Sequence, residues 1–189
     1  MKFLAFFFIS TVALAQNPYV RVVDEKFANH SGVVIRSGTD IDVLTCAHMM
    51  FLQKSTNINI HFFNGDRYIG LPGDIIKRND EADLMLVRVK NVANLTIEPV
   101  LVAGEISNNC VIKGWTGNKY RELNVTYKPS ETYYNDVKLM TFIGKGESGM
   151  SGSPILSNGQ IVSIQSLSNK KDGGDIVGAH LDEIRKFLK

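Results

Sequence analysis

Short runs of Val, Ile, Leu, Tyr and Phe recur along this chain, separated by Gly, Asn, Asp and Ser. That punctuation restricts the fold more than any other feature, because runs of this length make strands and not helices. Gly32 to Arg36, Ile41 to Cys46, Ile58 to Phe63 and Asp83 to Val89 form a first group of predicted strands. Asn64-Gly65, between Phe63 and Tyr68, is a hairpin signal. A more polar connector, Lys90 to Asn94, follows. The second group is Val100 to Val102, Cys110 to Lys113, Leu123 to Tyr127, Val137 to Phe142, Ile155-Leu156, Ile161 to Ile164 and Ile176 to Ala179. Many short strands at regular spacing predict an all-β sandwich or barrels. The end of the chain differs. Leu181, Ile184, Phe187 and Leu188 recur at helical spacing, with Asp182 and Glu183 at the start and Lys186 and Lys189 at the end. Those charges match the helix dipole, so a short C-terminal amphipathic α-helix is expected.

The N-terminus reads as a removable leader. Lys2 precedes an apolar run from Phe3 to Leu14, and Ala13-Leu14-Ala15 is a small-residue cleavage site. The run falls short of the about 20 apolar residues a membrane span needs. Residues 1–15 are therefore expected to be a signal peptide, with a mature chain starting at Gln16 and a secreted or periplasmic location. The remainder is long enough for one domain or two small lobes sharing a core. A net charge of +2 falls further once Lys2 is removed, so neither nucleic acid nor a membrane surface is expected as a partner. Export would permit a disulfide between Cys46 and Cys110, but both lie in apolar strand-like runs and read as small buried residues. His30, His48, His61 and His180 show no metal-binding spacing, so neither a metal nor a cofactor is expected. Three triplets, at Asn29, Asn94 and Asn124, match glycosylation sequons, which matter only in a eukaryotic secretory pathway.

The chemistry concentrates at Gly149-Met150-Ser151-Gly152-Ser153-Pro154. A serine hydroxyl is a poor nucleophile until a neutral imidazole takes its proton, and that imidazole needs a carboxylate to fix its tautomer. Ser151 is the candidate nucleophile. Gly149 has no Cβ, so its N–H is free to join that of Ser151 as an oxyanion hole, and Gly152 leaves room behind the serine. Val43 to Ala47 is an apolar run that delivers His48 into a turn. Asp83 heads the apolar run Leu84 to Val89, whereas Asp80 and Glu81 lack that context.

The order His48, Asp83, Ser151 with these flanks resembles the chymotrypsin-like serine protease superfamily. Thr45-Cys46-Ala47-His48 is similar to T-A-A-H, with cysteine in an alanine position. Asp83-Leu84-Met85-Leu86 is similar to D-I-A-L, and Gly149 to Pro154 to G-D-S-G-G-P. Cys110 to Trp115 resembles the segment ending in G-W-G early in the second barrel. The resemblance implies two six-stranded antiparallel β-barrels, spanning residues 16–92 and 93–189, with the triad between them. It also implies polypeptide substrates and an acyl-enzyme intermediate. An inactive binding protein on the same fold is the alternative. An α/β-hydrolase reading, with Ser151, Asp172 or Asp175 and His180, lacks both the β-α alternation and the final glycine of G-x-S-x-G.

Two departures narrow the branch. Met150 stands where digestive enzymes carry the aspartate that captures a new N-terminus, so Arg21-Val22-Val23 is not read as an activation junction. G-x-S-G-S-P, the sparse cysteines and the C-terminal helix resemble the bacterial glutamyl-endopeptidase and HtrA-like branches; the ending from Gly178 to Lys189 resembles the glutamyl endopeptidases in particular, which place a histidine where Gln165 aligns. By position in the motif, Lys145, Ser163, Gln165 and His180 are the candidate substrate-binding residues. Lys145 and His180 carry or accept positive charge, which makes an acidic P1 residue the specificity expected.

Overall fold

The computed structural model describes residues 16–24, 29–50, 57–63, 65, 67–134, 136–168 and 175–189. The leader 1–15 and Asn64 of the hairpin signal lie outside the described residues. Twelve strands are followed by one helix. The first six are β1 (Tyr19–Asp24), β2 (Asn29–Arg36), β3 (Asp40–Thr45), β4 (Ile58–Phe63), β5 (Tyr68–Asn79) and β6 (Leu84–Lys90). They close into a barrel in the order β1-β2-β3-β6-β5-β4. The second six are β7 (Asn109–Thr116), β8 (Lys119–Tyr134), β9 (Val137–Ile143), β10 (Pro154–Ser157), β11 (Gln160–Ser168) and β12 (Ile176–Ala179). They close in the order β10-β11-β12-β9-β8-β7. Every pairing within the two barrels is antiparallel. The expected all-β fold of two six-stranded barrels is the fold observed.

Burial explains the register. On β4, Ile58, Ile60 and Phe62 point inward while Asn59 faces solvent. A one-residue slip would exchange those sets, and fully burying each such side chain stabilises by roughly 1.5–3 kcal/mol. Phe63 pairs with Tyr68, so β4 and β5 form the hairpin that Asn64-Gly65 announces, with Gly65 at φ 86°. Cys46 belongs to the core of the first barrel and Cys110 to that of the second; both thiols are free and buried. A third apolar cluster joins the barrels, with Val33, Leu44 and Leu84 from one against Leu156, Ile164, Ile184 and Phe187.

One strand goes unmarked in the sequence, and two expectations are corrected. β1 is a strand that the pattern conceals, because Arg21 and Asp24 interrupt its apolar run. Both are nonetheless buried, and the Arg21 guanidinium lies 5.0 Å from the centre of the Tyr68 ring. Arg21 to Val23 pair with β2 on one side and β4 on the other. Val100 to Val102 is not a barrel strand. It is strung between the barrels, with Val100 N–H donating to Val34 C=O (2.9 Å) and Ile161 N–H donating to Leu101 C=O (2.8 Å). Asp83 is not the first residue of β6; it sits just before it in a turn, at φ 52°.

Helix α1 (Leu181–Leu188) closes the described chain. Leu181, Ile184 and Phe187 are buried, and the acidic first turn and basic last turn are as expected. Arg185 ties the helix to the second barrel by donating to Ala103 C=O (2.7 Å) and Gly104 C=O (2.6 Å).

Candidate active site

Each barrel contributes the residues just outside its strands. β3 ends at Thr45, and the chain then makes a single 3-10 turn, His48–Met50. The turn before β6 presents Asp83 to it. Asp83 Oδ1 accepts from Ala47 N–H (2.8 Å) and from His48 N–H (2.6 Å), and His48 Nδ1 lies 2.7 Å from Oδ2. The carboxylate is thus held by two backbone donors and the ring it orients. Its positive φ is sustained by these bonds and by the Asn79 side chain, which accepts from Ala82 N–H (3.0 Å). Burial acts to lower the His48 pKa, but the hydrogen bonds and charges of Asp83 and Cys46 together outweigh it and leave the imidazole above its ordinary value.

Ser151 comes from the second barrel, ahead of β10. Met150 N–H donates to Glu147 C=O (3.2 Å), closing a turn with Gly149 at its third position and φ 93°. That conformation favours glycine. Gly149 and Ser151 line one depression together with Asn29, His30, Gly117 and Ser148. Gly152 is the tighter requirement. Its φ is 84°, and a Cβ there would lie 2.2 Å from Ser31 C=O and 2.3 Å from Thr45 Oγ1. The room behind the serine is the contact between the two barrels. Ser31 N–H donates to Ser151 C=O (2.8 Å) across the same seam. Met150 is fully buried in the second barrel's core, so the position that carries an ion pair in digestive enzymes is here an apolar anchor.

Ser166 escapes sequence reasoning, which stops one residue short of it on the same strand. Its hydroxyl donates to Asp83 Oδ2, and its carbonyl accepts from Ser151 Oγ (3.4 Å). One residue of β11 therefore touches both Asp83 and Ser151. No motif marks it; only its adjacency to Gln165, whose backbone bonds to Gly152 and Ser153, places it there.

The four candidate substrate-binding residues part company. Lys145 is exposed, next to Gly146, which packs against Gln165 and Ser168. Gln165 is buried, and its side-chain oxygen has no hydrogen-bond partner among the described residues. Ser163 is buried and donates to Ala179 C=O (2.8 Å), beneath Gly178. His180 caps α1: its Nδ1 accepts from Asp182 N–H (3.1 Å). Residues 169–174, between β11 and β12, lie outside the described residues.

Sequence spacing points to no metal ligands, yet the fold gathers a group of them. The ligating atoms of His30, Cys46 and His48 all lie within 4.8 Å of one another. Cys46 Sγ is 3.9 Å from His48 Nε2, and the two imidazole rings meet edge to face with centroids 5.9 Å apart. Burial and the neighbouring His48 hold the His30 pKa below its ordinary value.

Two closed six-stranded antiparallel barrels, with His48 and Asp83 paired beside the first and Ser151 leading into the second, have the chymotrypsin-type architecture; in this structure Ser151 Oγ bonds to Ser166 C=O. The profile of the trypsin-like peptidase domain matches residues 30–164, and the chain belongs to that family. No curated protein matches the sequence. Among solved structures, an inactive-form serine-to-alanine mutant of Rv3671c from M. tuberculosis is 19% identical, with a TM-score of 0.72, covering 90% of this chain and 84% of that one. Deg5 is 12% identical with a TM-score of 0.72, over 89% of this chain and 86% of its own. The scabies mite inactivated protease paralogue S-D1 is 15% identical with a TM-score of 0.67, over 90% and 91%.

Proposed function

We propose that this chain is a secreted serine endopeptidase acting through an acyl-enzyme. Ser151 Oγ leaves its bond to Ser166 C=O and attacks the substrate carbonyl while its proton passes to His48 Nε2. The N–H groups of Gly149 and Ser151 receive the oxyanion. His48 then returns the proton to the leaving amine, and water repeats the sequence to release the acyl group. The observation that carries this reading is the grip on Asp83. With Oδ2 on His48 Nδ1 and Oδ1 on two backbone N–H groups, the tautomer is set and Nε2 is left to act as the base.

The test is labelling by a fluorophosphonate probe, with Ser151→Ala as control. Labelling of the wild type alone supports the proposal. Absence of labelling in folded protein at neutral pH overturns it and leaves a non-catalytic binding protein on a protease fold. The scabies mite inactivated protease paralogue shows that the fold can outlive the activity. Two finer parts have their own tests. Acidic P1 preference rests on Lys145, an exposed cation on the segment leading to Ser151; a peptide-library profile without Asp or Glu enrichment rejects it. Secretion rests on residues 1–15, and N-terminal sequencing of exported protein should begin at Gln16.

A further inference from the structure

The geometry points to a zinc site built from Cys46 Sγ, His48 Nε2 and His30, whose occupation takes the general base out of service. The consequence for activity rests on the peptidase reading above; the binding does not. The chemistry begins with a departure from the family pattern, since Cys46 stands where its relatives' motif has alanine. The fold then places three nitrogen and sulfur ligands on one spot. Zinc bonds to thiolate at about 2.3 Å and to imidazole at about 2.0–2.1 Å, so a tetrahedral centre separates sulfur from nitrogen by about 3.6 Å. Cys46 Sγ and His48 Nε2 are 3.9 Å apart before any metal draws them together. All three ligand atoms fall within 4.8 Å of one another.

Three further observations fit. His48 Nδ1 is already held by Asp83 Oδ2 at 2.7 Å, which presents Nε2 outward and supplies the carboxylate partner that metal-bound histidines use. His30 Nδ1 is buried without a hydrogen-bond partner among the described residues. His30 also lines the depression shared with Gly149 and Ser151, so an ion can enter from solvent although Cys46 itself is fully buried. Thiolate with two imidazoles selects a borderline-soft cation over Mg²⁺ or Ca²⁺. Three protein ligands leave the fourth position to water. On binding, the Cys46 thiol proton passes to solvent, bonds form from the metal to one sulfur and two nitrogens, and no electrons are exchanged. His48 Nε2, with its lone pair on the metal, can no longer accept the Ser151 proton.

Cobalt(II) reports the site without any need for activity. The full chain titrated with Co²⁺ should develop a thiolate-to-cobalt charge-transfer band in the near ultraviolet. Cys110→Ala should keep the band and Cys46→Ala should lose it. No band in the wild type, or an unchanged band in Cys46→Ala, overturns the site. The functional arm compares fluorophosphonate labelling with and without Zn²⁺ within each protein. Saturating Zn²⁺ should slow the wild type by roughly 100-fold, the contribution of a general base, while Mg²⁺ should have no effect. Equal slowing of the wild type and Cys46→Ala overturns inhibition through this site. His30→Gln, at a partly exposed position, reads both arms should Cys46→Ala not fold. A wild type that shows the cobalt band yet never labels sinks the peptidase reading and sustains the metal site.

Discussion

Ser166 donates its hydroxyl to Oδ2 of Asp83, the same carboxylate oxygen that meets His48 Nδ1. The orienting acid therefore receives hydrogen bonds from both barrels: three from the segment after β3 and one from β11. Replacing Ser166 with Ala removes a buried donor to a charged group, at a cost of roughly 1–3 kcal/mol. The fluorophosphonate labelling rate should drop about tenfold, and the denaturation midpoint in urea should fall with it. Ser166→Thr, which keeps the hydroxyl, should recover part of the loss. An unchanged rate in Ser166→Ala would show that the first barrel alone orients the acid.

Asp83→Asn separates shape from charge. The amide oxygen can still accept from Ala47 and His48 N–H, so the turn should survive. Its NH₂ would then face His48 Nδ1, which must become an acceptor, and the proton moves to Nε2, where the base is needed. Labelling should fall by roughly 10⁴-fold while circular dichroism stays that of the wild type. A loss under tenfold would mean that His48 does not depend on this contact.

The pH profile follows from the same pair. Against burial, Asp83 and Cys46 together raise the His48 pKa above 6.5, and the base works only when neutral. Labelling should therefore climb as pH rises and reach half its plateau above pH 6.5. In Asp83→Asn the midpoint should move down. The stability linkage has the opposite sense. The raised pKa stabilises the fold fully below about 6.5, and that contribution is lost as pH climbs through the folded-state value. A wild-type midpoint below 6.5 would contradict the arrangement.

Gly152→Ala should be far costlier than a loop substitution. The new Cβ would need to share space with Ser31 C=O and Thr45 Oγ1, at a positive φ. Left-handed strain and the clash together should cost roughly 3 kcal/mol or more, measured by urea unfolding. Gly65→Ala is the comparison. It also has positive φ, but among the described residues nothing lies within 4 Å of its Cβ, so it should lose about 1 kcal/mol.

The all-β class, most of the strands and the final helix were legible because each is a local pattern. Ile58, Ile60 and Phe62 alternate, and Leu181, Ile184 and Phe187 recur, whatever lies opposite them. His48, Asp83 and Ser151 stand out in the sequence because short flanking motifs mark them. β1 was not, since Arg21 is buried only by grace of Tyr68 and Asn29, residues distant in sequence. Nor was the turn conformation of Asp83, which depends on donors from residues 47 and 48.

Its residues alone determine that this chain forms β-strands and a terminal amphipathic helix, and that it carries a histidine, an acid and a serine in protease order. Periodicity and short motifs hold that information without reference to distant contacts. Tertiary structure decided the rest. Barrel closure brought Ser166 under Asp83, pressed Gly152 against Ser31 and set His30 beside Cys46 and His48. Each of those relationships joins residues from separate segments of the chain, which meet only once the barrels close.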